Sequence, residues 1–132
     1  MLDIMKELEP ITDHSVRHEY VEALAKLDVL WNQLPKPKEG NKNSFIIIRK
    51  GVAIAIKANN LEKAWEWALK GLPYSGNFNL GGESEFLIAE VAFARGDYEN
   101  AKKYFLLTYN NSGKRYFKDK NPQFFLLIKD LK

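Results

Sequence analysis

The sequence predicts an all-α fold of antiparallel helical hairpins in a single domain, 1–132. Three observations carry this. Apolar residues recur at three- and four-residue steps over most of the chain, which sets them on one face of successive helices. Proline, glycine and asparagine cluster between those stretches, where a helix has to stop. A pattern of small and large residues returns after 37 positions.

The first long helix is expected over 14–34. Its inward face would be Val16, Tyr20, Ala23, Leu24, Leu27, Leu30, Trp31 and Leu34, and Asp13 would cap it by accepting a first-turn N–H. A short helix over 1–9, ended by Pro10, would precede it. Pro35 to Asn43 holds two prolines and a glycine and is expected as a loop. Ser44 then caps a helix over 45–58. Phe45-Ile46-Ile47-Ile48 alone resembles a strand, but Val52, Ala55 and Ile56 continue its apolar face at helical spacing.

Asn59-Asn60 makes a turn into a helix over 61–72, with Ala64, Trp65, Ala68 and Leu72 inward and Trp67 nearer the edge. Pro73 to Gly82 is a second loop. Helices over 83–95 and 98–111 follow, joined at Gly96-Asp97, where glycine tolerates the left-handed conformation that ends a helix. Gly113 closes the latter helix. Asn121-Pro122 opens a last helix over 122–131, with asparagine at the cap and proline in the first turn.

Composition bounds the function. Of 132 residues, 45% are hydrophobic and 28% charged, an ordinary globular balance. With no cysteine, disulfides, thiolate metal sites and cysteine nucleophiles are excluded. No basic leader followed by an apolar run opens the chain, and no stretch nears the ~20 apolar residues of a membrane span. A soluble, cytoplasmic protein with no membrane partner is expected. Charge is unevenly placed: residues 1–100 hold 12 Lys/Arg against 15 Asp/Glu, and residues 101–132 hold 8 against 2. Such opposed fields steer charged partners.

At the 37-residue shift Val52 meets Ala89, Ala55 meets Ala92, Ile56 meets Phe93, Leu61 meets Tyr98, Ala64 meets Ala101 and Ala68 meets Phe105. The second copy, from Ala89 through Ala92-Phe93, Gly96-Asp97-Tyr98 and Ala101 to Phe105, resembles the tetratricopeptide repeat. The resemblance covers 45–113. It implies a degenerate repeat over 45–72, a repeat over 83–111, a right-handed superhelix, and capping helices at 14–34 and 122–131. The stretch from Gly113 to Leu126, and the turn Leu34-Pro35-Lys36-Pro37, are similar to a group of small bacterial tetratricopeptide proteins. Asn121 stands where that group carries an acidic residue. Its members are often encoded beside polymorphic toxins, so the resemblance implies an immunity protein that neutralises a cognate toxin domain by direct binding.

In the tetratricopeptide arrangement the first helix of each hairpin lines the groove. That puts Ile46, Arg49, Ala53, Ile56 and Lys57, then Glu83, Phe86, Glu90 and Phe93, on one concave surface suited to a protein partner. Phe86 and Phe93 have a competing reading, burial under the helix 14–34. The basic tail with Lys114, Arg115 and Lys118, beside Tyr116 and Phe117, fits nucleic acid, an acidic protein surface or a solvated face. A nucleic-acid-binding or regulatory adaptor, or a secretion chaperone or scaffold, is therefore the alternative function. His14 and His18 lie one helical turn apart, with Glu22 beyond, but two histidines do not make a metal site. No nucleophile elbow or phosphate loop is present, so no catalytic residue, metal or cofactor is expected. Two repeats leave both ends exposed, and a homodimer is expected if either capping helix is loose.

Overall fold

A computed structural model describes residues 4–34, 42–74 and 82–130. Among them are seven α-helices and no strand. They are α1 (Ile4–Val16), α2 (Tyr20–Gln33), α3 (Lys42–Lys57), α4 (Leu61–Leu69), α5 (Glu83–Ala94), α6 (Tyr98–Ser112) and α7 (Pro122–Ile128). Short 3-10 turns follow α4 at Leu72–Tyr74 and α6 at Lys114–Phe117.

The N-terminal third departs from expectation. The helix does not end at Pro10, and no single helix spans 14–34. Instead α1 runs through Pro10 and Asp13, and the chain breaks at Arg17-His18-Glu19. Proline inside a helix removes one hydrogen bond and costs ~3 kcal/mol or more. Here Ile4, Leu8 and Ile11, spaced for one helical face and all buried, hold the helix across that defect. His18 has φ 63° and ends α1: its N–H donates to Ser15 O (3.0 Å), and Glu19 N–H donates to His14 O (2.7 Å). Val16, expected inward, is exposed just ahead of this turn.

The same turn occurs at two further places. Asn59 (φ 56°) and Asn60 donate to Ile56 O and Ala55 O, and Gly96 (φ 78°) and Asp97 donate to Phe93 O and Ala92 O. Three consecutive hairpins, α1–α2, α3–α4 and α5–α6, are therefore closed alike. Aligned on these turns, Ile11, Val52 and Ala89 coincide, as do Ala23, Ala64 and Ala101, and Leu27, Ala68 and Phe105, every one of them buried. Asn60 and Asp97 cap the helices that follow, accepting from Lys63 N and Asn100 N. Ser44 is not a cap, because Lys42 and Asn43 are already helical and the Ser44 side chain is buried. The expected loops at 35–43 and 73–82 lie mostly outside the described residues.

The core has two clusters that meet at α5. Leu87, Ile88 and Val91 join residues of α1–α4, while Phe86, Ala89 and Ala92 join α6, the 3-10 turn and α7. The first cluster centres on Trp67, which is fully buried. This reverses the expectation for the two tryptophans: Trp65 is half-buried at the surface, with Arg95 Cζ 4.9 Å above its ring. Gly51 explains the exchange. A Cβ there would fall 2.4 Å from Trp67 Cδ2, so α3 presents bare backbone to the indole. Trp31 meets the same ring edge-on at 5.6 Å, and Lys63 of α4 donates to Asp28 of α2 at 3.0 Å.

Asn121 caps α7 by accepting from Gln123 N (3.0 Å), with Pro122 in the first turn as expected. α7 and the 3-10 turn close the C-terminal end. At the other end α2 turns Val21 and Val29 outward, 79% and 57% exposed. No helix among the described residues is long and apolar enough to cross a membrane.

Overpacking a filled core costs about 1–3 kcal/mol or more. Gly51→Ala is accordingly expected to lower the unfolding free energy by at least that much in urea. Trp67→Leu in the Gly51→Ala background should recover part of the loss. A loss in the double variant equal to the sum of the losses in Gly51→Ala and Trp67→Leu would show that no clash exists.

Candidate interaction cleft

One cleft of about 770 Å³ opens along the first helices of the three hairpins. From α1 it takes Met5, Leu8, Glu9, Thr12 and Asp13; from α3, Ile46, Arg49, Lys50, Val52 and Ala53; from α5, Glu83, Phe86, Leu87 and Glu90. Tyr116 and Lys120, beyond α6, close its far end. In α1 and α3 an apolar stripe packs inward on the hairpin partner and an adjoining, mixed stripe faces the opening, while α5, buried nearly all round, turns Glu90 to it.

Of the predicted groove residues, Ile46, Arg49, Ala53, Glu83, Phe86 and Glu90 line the cleft, and Ile56, Lys57 and Phe93 do not. The divide follows the helix axis. Ile56, Lys57 and Phe93 lie at the turn ends of α3 and α5, past the cleft's reach. Phe86 lines the wall but is only 4% exposed, packed edge-on against Tyr116 (5.1 Å), Phe117 (5.9 Å) and Phe124 (5.7 Å). Phe93 packs on Phe124 (5.1 Å) and Tyr98 (5.5 Å). Phe86 is buried and Phe93 half-buried, and their ring neighbours come from α6, the 3-10 turn and α7 rather than from 14–34. Lys114, Arg115 and Lys118 are exposed and lie outside the cleft.

Inside the cleft the charges are arranged in pairs and orphans. Arg49 Nε lies 3.0 Å from Glu83 Oε2. Lys120 Nζ stands over the rings of Tyr116 (5.1 Å) and Phe86 (5.7 Å). Burial pushes the Tyr116 hydroxyl up, and Glu83 adds to that by repelling a phenolate. Burial also raises the Glu90 carboxyl, and the attraction of Lys120 offsets only part of it. Glu85, also buried, accepts instead from Ser84 Oγ–H at 2.6 Å. Thr108 Oγ1–H donates to Gly82 O at 3.0 Å and ties the start of α5 to α6.

The α1 wall went unpredicted, although a signal for it exists. Ile4, Leu8 and Ile11 mark a helical face that crosses Pro10 without interruption. The two histidines fall apart in space: His14 Nδ1 meets Glu19 Oε1 at 2.7 Å, and His18, beyond the helix end, meets the Tyr20 hydroxyl at 3.1 Å. Among the described residues no three His, Cys, Asp or Glu side chains are grouped to hold a metal ion. The chain matches no protein-family model, no curated protein and no solved structure.

A carboxyl whose pKa is raised by folding binds protons more readily folded than unfolded, so its burial cost appears as pH rises through the folded pKa. Glu90→Gln removes that cost. The variant is expected to melt a few degrees above the wild type at pH 7, with the difference shrinking toward pH 4, where both states are protonated. Thermal denaturation across this range checks it, and a constant difference would rule out the assigned cause.

Proposed function

We propose that this chain is a protein-binding helical-repeat protein whose three hairpins form a tetratricopeptide-like right-handed superhelix, with the cleft as its concave, partner-holding side. One observation carries the reading: the cleft is walled by the first helix of every hairpin. It therefore presents apolar side chains such as Met5, 64% exposed, and Ile46 beside both signs of charge. Such a surface suits a protein segment, which offers mixed apolar and polar contacts along its length.

The partner proposed is a cognate toxin domain, which the chain neutralises by occupying its active surface. Support for this finer reading is the likeness of the stretch from Gly113 to Leu126 to immunity-type proteins. Neutralisation by occupation needs no catalytic group in the binder. The nucleic-acid alternative has less support, because the tail's rings are engaged with one another. Tyr116 and Phe117 pack on Phe86, and Tyr109 and Phe117 pack on Phe125. Stacking on bases needs open ring faces.

Ala53 is exposed on the α3 wall, and a larger side chain there fills the cleft without entering the core. Ala53→Trp is expected to keep the helical signal and melting temperature. In co-expression with a candidate toxin domain taken from a neighbouring gene, wild type should protect the host and co-purify with the toxin. The variant should lose both, a weakening of about tenfold or more, which corresponds to at least ~1.4 kcal/mol. A complex that Ala53→Trp leaves intact would move the interface elsewhere, and absence of any complex or protection would end the toxin reading.

A further inference from the structure

We propose that the cleft receives a basic amphipathic segment of the partner, in which a Lys or Arg flanked by apolar side chains sits between Glu9 and Asp13 of α1 and Glu90 of α5. The inference rests on the cleft being the partner-holding surface and adds the sign of the partner's charge. It follows from which charges in the cleft already have local partners. Arg49 is held by Glu83 at 3.0 Å, and Lys120 lies on the Tyr116 and Phe86 rings. Glu9, Asp13 and Glu90 have no hydrogen bond or ion pair with a described side chain, and Lys120 acts on Glu90 only at longer range. Lys50, half-buried on α3, is the remaining cation. Three carboxylates without close partners therefore face one such ammonium across a space of about 770 Å³.

The consequence is physical. A carboxylate drawn partly out of water without a counter-charge is costly, and that cost is relieved when a cation enters beside it. Glu90 is in this condition, in the cleft that Glu9 and Asp13 also line. An acidic segment would instead bring like charges together in a partly dehydrated space, which selects strongly against it. The apolar contribution comes from Met5 and Ile46, so the occupant needs apolar side chains around its cation.

The test is selection of a random twelve-residue peptide display library on the full-length chain at low salt, with Ala53→Trp as the cleft-filled control. Recovered peptides that Ala53→Trp rejects are expected to be enriched in Lys or Arg next to Leu, Ile or Phe. They should bind at least tenfold more weakly to a Glu9→Gln, Asp13→Asn, Glu90→Gln variant, and equally or more tightly to Lys50→Gln. Cleft-dependent peptides that are acidic, or that ignore the triple variant, would overturn the charge assignment and leave the cleft reading standing. Recovery of no peptide that Ala53→Trp rejects would overturn both.

Discussion

α5 is apolar nearly all the way round, and the rest of the molecule is arranged to cover it. From Ser84 to Ala92 every residue except Glu90 is buried. A helix of that kind cannot lie on a surface, since a stripe facing water would forfeit its burial. One side takes Leu87, Ile88 and Val91 into the core built by the first two hairpins, and the other takes Phe86, Ala89 and Ala92 into the aromatic cluster. The interrupted position, Glu90, is where the cleft opens. Fold and candidate site thus share one cause: α5 joins two half-cores and leaves a single polar gap between them.

The aromatic cluster shows how the second side is closed. Phe105 and Phe124 stack at 4.6 Å, and Phe117 approaches Phe105 at 6.0 Å. These rings come from α6, the 3-10 turn and α7, and the latter two are too short to be stable alone. They hold position because each buries apolar area against α5 or its partner α6. In the first half-core Trp67 has a comparable role, seated where Gly51 removes the side chain that would exclude it.

Much of this was legible in the residues. The second and third hairpins could be placed because Asn59-Asn60 and Gly96-Asp97 announce their turns, and because Ala64 and Ala101 repeat at the crossing. The first hairpin was hidden by two substitutions of kind. His18 does the task of a glycine at positive φ, and Glu19 stands where asparagine or aspartate caps the next helix. Pro10 completed the disguise, since a proline usually ends a helix and here tertiary packing overrides it. The tryptophans were misassigned because spacing shows that they point apart, and only Gly51, sixteen residues away, shows which one goes inward. Part of the cleft, on α3 and α5, was readable for the same reason as the hairpins. The α1 wall was lost with the hairpin that carries it, and Tyr116 and Lys120 reach the cleft through a chain reversal that periodicity does not encode.

If α5 joins the two half-cores into one cooperative unit, the cleft between its wall and those of α1 and α3 is a standing feature rather than a transient one. Native-state hydrogen exchange measures this directly. The account predicts that the amides of residues 87–92 exchange only through global unfolding, and that α3, α4 and α6 lose their slowest protection in the same transition. Exchange of α5 with α6 and α7 in a separate, lower-energy opening, while α1 to α4 stay protected, would contradict it.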